Sequence, residues 1–483
     1  MSASNRIKSE AISGLLWNFI ENGGNYLLNF LIGLVLIRII DAQIFGIVGM
    51  MYFYILLGNI LASFSLSNYL IQKPEIDKND YSTAFWINLL LSLLIYLLIY
   101  VFSDNIANFY KESSIAYYIK FFALNVIFSG ISVVQIADLS KKMNFKVLAQ
   151  INLAALLLSG IIAIILSLLN LGLLSLILFQ LTNSFIVMIL LWIINKWDYG
   201  FNFSFSSLRK IGRFSSSIHL VNSLNTLYTE IYNLIIGRLF DARNLAYYLR
   251  GRHTAEVLPI QFSNSLLKVL LPVMSSLQLD KSGLKKTYHK VLLLTGLINI
   301  PILTFLAANG KSIFILLYTE KWLSAVIYYQ LFCIEGMLLP LHLIGANLLI
   351  AKGKSNHFMR LELSKRLLQT FIIYFTISSI EYMVIGLIIL SIIYTLITFI
   401  IVKQECDYKF FEQVKYLLPY LFISALIYMI NAINNSLMID YGTLMTLILN
   451  FIVSLIMYIG ILTFFRMEAY YYIKEVLVEI IKK

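Results

Sequence analysis

The run "INLLLSLLIYLLIYVF" (87–102) is interrupted only by one asparagine and one serine. Hydrocarbon offers no water to backbone N–H and C=O groups, so only a helix or a closed barrel can cross it. Barrel strands alternate apolar and polar residues, whereas this run is continuous and predicts a helix. Comparable runs recur along all 483 residues, which are 60% hydrophobic and 13% charged, with a mean hydropathy of +0.82. That balance excludes a soluble domain and predicts an all-α polytopic membrane protein.

A crossing takes about 20 residues. Fourteen spans are expected, near 13–37, 44–69, 82–102, 115–137, 147–168, 172–194, 214–237, 253–276, 288–308, 325–350, 359–378, 382–402, 413–432 and 443–465. "LNLG" (169–172) divides two of them as a tight hairpin. The polar first ten residues precede no small-residue cleavage site, so the first span is expected to remain as an anchor. With the N-terminus inside, 27 of the 37 lysines and arginines fall in cytoplasmic segments and nine outside. The positive-inside rule then places both termini in the cytoplasm. The net charge of +12 is accordingly read as loop lysines rather than a nucleic-acid surface. Cys333 and Cys406 suit neither a disulfide framework nor a metal site, and the five histidines have no metal spacing.

"RIIDA" (38–42) returns as "RLFDA" (238–242), and "NGGN" (22–25) as "NSLN" (222–225). At this constant offset Asn22, Asn25, Leu27, Leu34, Arg38, Asp41 and Ala42 are identical to their counterparts. The first and seventh spans run the same way, which predicts two six-helix lobes related by a parallel repeat. The expected organisation is an N-terminal lobe at 1–194, a cytoplasmic linker at 195–213, a second lobe at 214–402, and a terminal helix pair with tail at 403–483.

Three spans carry polar side chains at helical spacing: Asn18, Glu21, Asn22, Asn25 and Asn29; His219, Asn222, Ser223, Thr226 and Glu230; and Gln261, Asn264, Ser265 and Lys268. Each set occupies one face of its helix. Single amides there can equally serve helix–helix hydrogen bonds, worth roughly 0.6 kcal/mol each. Glu21, Glu230 and Lys268 fit that role less well, because a charge at mid-membrane costs about 3 kcal/mol. Together the stripes suggest a wet cavity. "RLFDARNLAYYLRGRHTAE" (238–256) adds four arginines against Asp241 and Glu256. Asp41, Asp241 and Glu256 could neutralise Arg38, Arg238 and Arg252 as a solvated cap. Otherwise the surplus charge suits phosphate or carboxylate groups, which a guanidinium grips bidentately. No Gly-rich nucleotide loop is present, which argues against ATP hydrolysis by this chain.

With these spans, and with "IIGRLFDARNLAYYLRG" (235–251), "LLPVMSSLQLD" (270–280) and "LLYTEKW" (316–322), the chain resembles the multidrug/oligosaccharidyl-lipid/polysaccharide exporter superfamily. It is most similar to the polysaccharide flippase branch of O-antigen and capsule repeat-unit transporters, although Ala246 stands where a glycine is usual. The resemblance implies a flippase without catalytic residues or cofactor. Its cargo would be an undecaprenyl-diphosphate-linked oligosaccharide, moved from the cytoplasmic to the periplasmic leaflet of a bacterial inner membrane. It further implies cationic contacts at Arg38, Arg238, Arg250, Arg252 and Lys268, and hydrogen bonds to sugar from the amide stripes. Glu21, Glu230 and Glu256 become candidate carriers of a coupling H+ or Na+. Membrane lipids and other polysaccharide-assembly proteins are the expected partners. The alternatives are a lipid II flippase, a drug or organic-cation antiporter, and a polysaccharide polymerase or ligase. An antiporter needs acidic sites, and a polymerase or ligase usually has a larger outer loop than the roughly fifteen residues available here.

Overall fold

The computed structural model describes residues 3–73, 76–437, 442–468, 470 and 471; the side chains of Asn18 and Asn22, two expected site residues, lie outside the described residues. Every regular element among the described residues is helical: α1 (Ala3–Ile39), α2 (Ala42–Ser63), α3 (Leu66–Gln72), α4 (Lys78–Val101), α5 (Ser103–Tyr110), α6 (Ser114–Phe122), α7 (Leu124–Lys141), α8 (Phe145–Leu168), α9 (Gly172–Ile194), α10 (Phe205–Leu239) and α11 (Ala242–Ser276). There follow α12 (Lys281–Leu294), a π turn at Thr295–Asn299, α13 (Ile300–Ala308), α14 (Gly310–Tyr318) and a 3₁₀ turn at Glu320–Ala325. The chain continues through α15 (Val326–Ala351), α16 (Ser355–Thr376), α17 (Ile380–Cys406), α18 (Phe410–Leu437) and α19 (Thr443–Phe464).

Eleven helical segments among the described residues are long and apolar enough to cross a membrane. The other three expected spans are also helical, as parts of α1, α10 and α16: the apolar stretch of α1 among the described residues, Gly23–Ile39, is shorter, and polar residues dilute the hydropathy of α10 and α16. α10, for example, contains Arg209, Lys210, Arg213, His219 and Glu230. The "LNLG" connection is a tight turn in which Asn170 adopts a left-handed φ of 62°, and α8 and α9 pack along each other. Asparagine tolerates that backbone region better than most residues.

The chain divides into two compact units, 1–246 and 247–483, with the division inside α11. In the first unit α10 packs on α2, α3 and α4. Gly46 permits the tightest approach: a Cβ there would stand 1.6 Å from the carbonyl oxygen of Ala242. Residues 195–204, expected as a linker, are strapped down. Asp138, only 2% exposed, accepts hydrogen bonds from Tyr199 Oη at 2.6 Å, Lys142 Nζ at 2.6 Å and Asn195 Nδ2 at 3.0 Å. Trp197 stacks on Trp192 and Phe201, and Tyr199 on Tyr81. Burial and the Asp138 carboxylate both push the Tyr199 phenol above its ordinary range, so it remains a donor.

In the second unit an asparagine network ties α18 and α19 to the α13–α14 corner. Asn309 donates to Asn431 at 2.9 Å and accepts from Asn450 at 2.7 Å. Asn431 in turn donates to Ser454 at 2.7 Å. All three asparagines are fully buried, which requires such pairing. Gly251 performs a similar service to Gly46, since a Cβ there would lie 2.7 Å from the backbone nitrogen of Tyr329.

Candidate functional site

The two "R-x-x-D-A" copies perform the same local task. Arg38 and Arg238 sit in the last turns of α1 and α10, where a cation complements the helix dipole. Asp41 caps α2 by accepting from Gln43 N at 2.9 Å, and Asp241 accepts from Asn244 N at 2.7 Å at the start of α11. Both aspartates thus cap the helix that follows them. Asp41 pairs with Arg243 at 3.2 Å. Arg238 donates to the carbonyl of Phe109, and its guanidinium lies 5.2 Å from the Phe109 ring centre. With Lys111, Arg243, Gln43 and Tyr110 it lines a cavity of about 530 Å³.

A second cavity of the first unit, about 550 Å³, lies among α1, α2, α7, α8 and α9. Asn25 and Asn29 of the first stripe line it, together with Tyr52, Asn59, Asn125, Ser129, Asn152, Leu156, Phe179, Gln180, Asn183 and Ser184. Asn125 is its hub: Oδ1 accepts from Asn59 at 3.1 Å and from Ser129 at 3.3 Å, and Nδ2 donates to Ser184 at 2.7 Å and to the Gln180 carbonyl at 3.3 Å. Glu21 stands beside this set and accepts from Asn152 Nδ2 at 2.6 Å. Seven of the lining side chains are carboxamides, and none is charged. An amide both donates and accepts, so the wall matches hydroxyl-bearing ligands.

The stripes of α10 and α11 do not line this cavity. His219 packs against Phe64, and Asn222 is exposed. Ser223 and Thr226 are half-buried, and Glu230 accepts from Asn233. On α11, Gln261 is half-buried, while Asn264, Ser265 and Lys268 are exposed. Arg250 lies over the rings of Tyr318 and Trp322, at 5.4 and 5.6 Å, an aromatic cradle for a guanidinium. Arg252 is paired with Glu256 at 2.8 Å. Arg243 and Arg252 thus have carboxylate partners, whereas Arg250 is held by aromatic faces and Arg238 by Phe109.

A polar cluster in the second unit escaped the sequence reading. Glu335 of α15 accepts from Ser391 of α17 at 2.8 Å. Tyr394 of α17 donates to Glu362 of α16 and carries Lys365 over its ring at 4.3 Å. His342, 1% exposed, meets the Tyr394 ring edge-on with centroids 5.2 Å apart. Two signals could have revealed the missed residues. Asn125 and Ser129 stand at i, i+4 and Gln180, Asn183 and Ser184 at i, i+3, i+4, the same spacing used for α1. Glu335 is an ionisable group inside an apolar run, as Glu21 is.

A family model described as "Polysaccharide biosynthesis protein" matches residues 35–327, more than half of the chain. The chain belongs to this polysaccharide biosynthesis family. Among its relatives, an uncharacterized membrane protein in the cps region of Klebsiella pneumoniae is 28% identical over 77% of this chain and 77% of its own length. The lipopolysaccharide biosynthesis protein WzxC of Escherichia coli (strain K12) is 27% identical over 72% and 71%. The solved structure of the lipid II flippase MurJ, in an inward closed conformation, aligns with a TM-score of 0.71 at 14% identity, covering 94% of this chain and 99% of that one. At that identity the likeness is one of fold. Within the polysaccharide family, then, this chain pairs the fold shared with that structure with an amide-lined cavity among five helices.

Proposed function

We propose that the protein is a lipid-linked oligosaccharide flippase, carrying undecaprenyl-diphosphate-linked repeat units from the cytoplasmic to the periplasmic leaflet of the inner membrane. Its activity is transport rather than catalysis. A hydroxyl-rich head group cannot cross hydrocarbon unaided, and the chain offers it a polar route while the lipid tail stays in the bilayer. The observation that carries this reading is the amide-lined cavity among helices that also present exposed apolar side chains, such as Leu158, Ile161 and Ile165 of α8. Membership of the polysaccharide biosynthesis family supports the same cargo class.

In this reading the fourteen spans form two six-helix lobes and a terminal pair, with both termini cytoplasmic, and the lobes work by alternating access. Arg38, Arg238, Arg250, Arg252 and Lys268 hold anionic parts of the cargo. Asn18, Asn22, Asn25 and Asn29 on α1, with His219, Asn222, Ser223, Thr226, Gln261 and Asn264, bond to sugar. Glu21, Glu230 and Glu256 carry the coupling H+ or Na+. Other polysaccharide-assembly proteins hand over and receive the cargo. The test is to delete the protein and assay the lipid fraction by mass spectrometry together with leaflet accessibility. Accumulation of a lipid-linked oligosaccharide on the cytoplasmic leaflet, cleared by re-expression, is the expected result. An unchanged distribution between leaflets would remove the proposal.

A further inference from the structure

The amide-lined cavity of the first unit carries an inference about which part of a glycan it takes. Its wall is chemically two-sided: carboxamides and hydroxyls each donate and accept. A carboxylate or phosphate only accepts, and an ammonium only donates, so neither would satisfy such a wall. Nor would the wall neutralise them, since no lining side chain is charged. Glu21, which accepts from the lining Asn152, would repel an anion. Burying an unpaired charge is costly, whereas a sugar hydroxyl or acetamido group exchanges hydrogen bonds one for one.

The wall is also partly pre-assembled. Asn125 uses both of its polar atoms to hold Asn59, Ser129, Ser184 and the Gln180 backbone. That scaffold leaves acceptors and donors without partners. Asn59 Oδ1 is buried with no hydrogen-bond partner, and the Gln180 carboxamide has none among the described residues. Positions that the protein orders in advance bind a ligand with less conformational loss. Tyr52 and Phe179 supply flat apolar faces beside the amides, and such a face suits the C–H side of a pyranose ring. At about 550 Å³ the space falls within the roughly 300–1,000 Å³ of small-molecule sites.

We infer that this cavity is a saccharide subsite selective for uncharged sugars, hydroxylated or N-acetylated, and that it excludes uronic acids and phosphates. The inference deepens the flippase reading and rests on it for its biological meaning, but its binding chemistry stands on the cavity alone. Asn59 and Gln180 are the specificity-determining side chains, and Asn125 positions them.

The experiment uses the full-length protein in nanodiscs and saturation-transfer NMR. The probes are lactose, N,N′-diacetylchitobiose and a disaccharide ending in glucuronate. The neutral disaccharides should bind, and the glucuronate should bind at least tenfold more weakly. The double variant Asn59→Leu, Gln180→Leu should weaken neutral-sugar binding at least tenfold. Leu156→Trp removes no polar group and should abolish binding by filling the space, which guards against a polar double variant that fails to fold. Equal or tighter binding of the glucuronate would overturn the inference, as would unaltered neutral-sugar binding in a folded Leu156→Trp protein. Because this assay reads binding without transport, its failure is separate from that of the leaflet assay above, which reads transport without sugar selectivity.

Discussion

Replacing Asp138 by alanine should release the strap formed by residues 195–204. The carboxylate is the common acceptor of Tyr199, Asn195 and Lys142, and it is 2% exposed. Hydrogen bonds to a charged group contribute about 1.5–3 kcal/mol each. Tyr199 and Asn195 would both lose such a bond. The Lys142 side chain is 55% exposed, so its ion pair adds at most about 1 kcal/mol. The expected cost of Asp138→Ala is therefore about 3–7 kcal/mol, concentrated at this end of the first unit. Tyr199→Phe removes one bond and leaves Asp138 two donors, so it should cost less than half as much.

Two measurements report on it. Thermal unfolding in detergent should fall in the order wild type, Tyr199→Phe, Asp138→Ala. Limited trypsin digestion should cut after Lys196 faster in the alanine variant, because detachment exposes that backbone. If Asp138→Ala unfolds with wild-type midpoint and resists trypsin equally, the aromatic stack of Trp192, Trp197 and Phe201 holds the strap by itself, and the carboxylate argument is wrong.

Gly46→Ala places a methyl group against the Ala242 carbonyl rather than against a movable side chain, so a cost above the usual 1–3 kcal/mol of overpacking is expected, read as loss of the monodisperse peak in size-exclusion chromatography. Asn309→Leu strands the partner atoms of Asn431 and Asn450 and should lower stability by about 1–3 kcal/mol, with α18 and α19 becoming the first region to exchange amide hydrogens. Arg250→Lys keeps the charge but loses the flat face that lies over Tyr318 and Trp322, so export should fall several-fold at equal expression; full export would assign Arg250 no role beyond its charge. Glu21→Gln should shift the dependence of export on pH or sodium, and an unaltered dependence would exclude Glu21 as an ion carrier.

The "R-x-x-D-A" repeat was legible because both copies act locally, as a helix-terminal cation followed by an N-cap, and local roles need only neighbours in sequence. The stripe on α1 was legible for the same reason, since helical spacing alone puts Asn25 and Asn29 on one face. The pairing of Arg252 with Glu256 at i, i+4 was legible too, but that of Arg243 was not. Asp41 lies three residues from Arg38 yet bonds to Arg243, because its carboxylate faces the end of its own helix, and the close approach at Gly46 brings 242–243 beside it. The docking of residues 195–204 was not legible either, since Asp138 and Tyr199 are brought together only by the packing of α4, α7 and α9.

By itself the sequence determined that the chain is helical, lives in hydrocarbon, and carries polar faces at stated registers, because hydropathy and periodicity are properties of a single strand of backbone. Only the tertiary structure decided which of those faces share a cavity. Asn59, Asn125, Asn152 and Gln180 come from four different helices, and no spacing rule relates them. Whether an amide satisfies its neighbour or is left for a ligand depends on distances of a few tenths of an ångström, which packing alone sets.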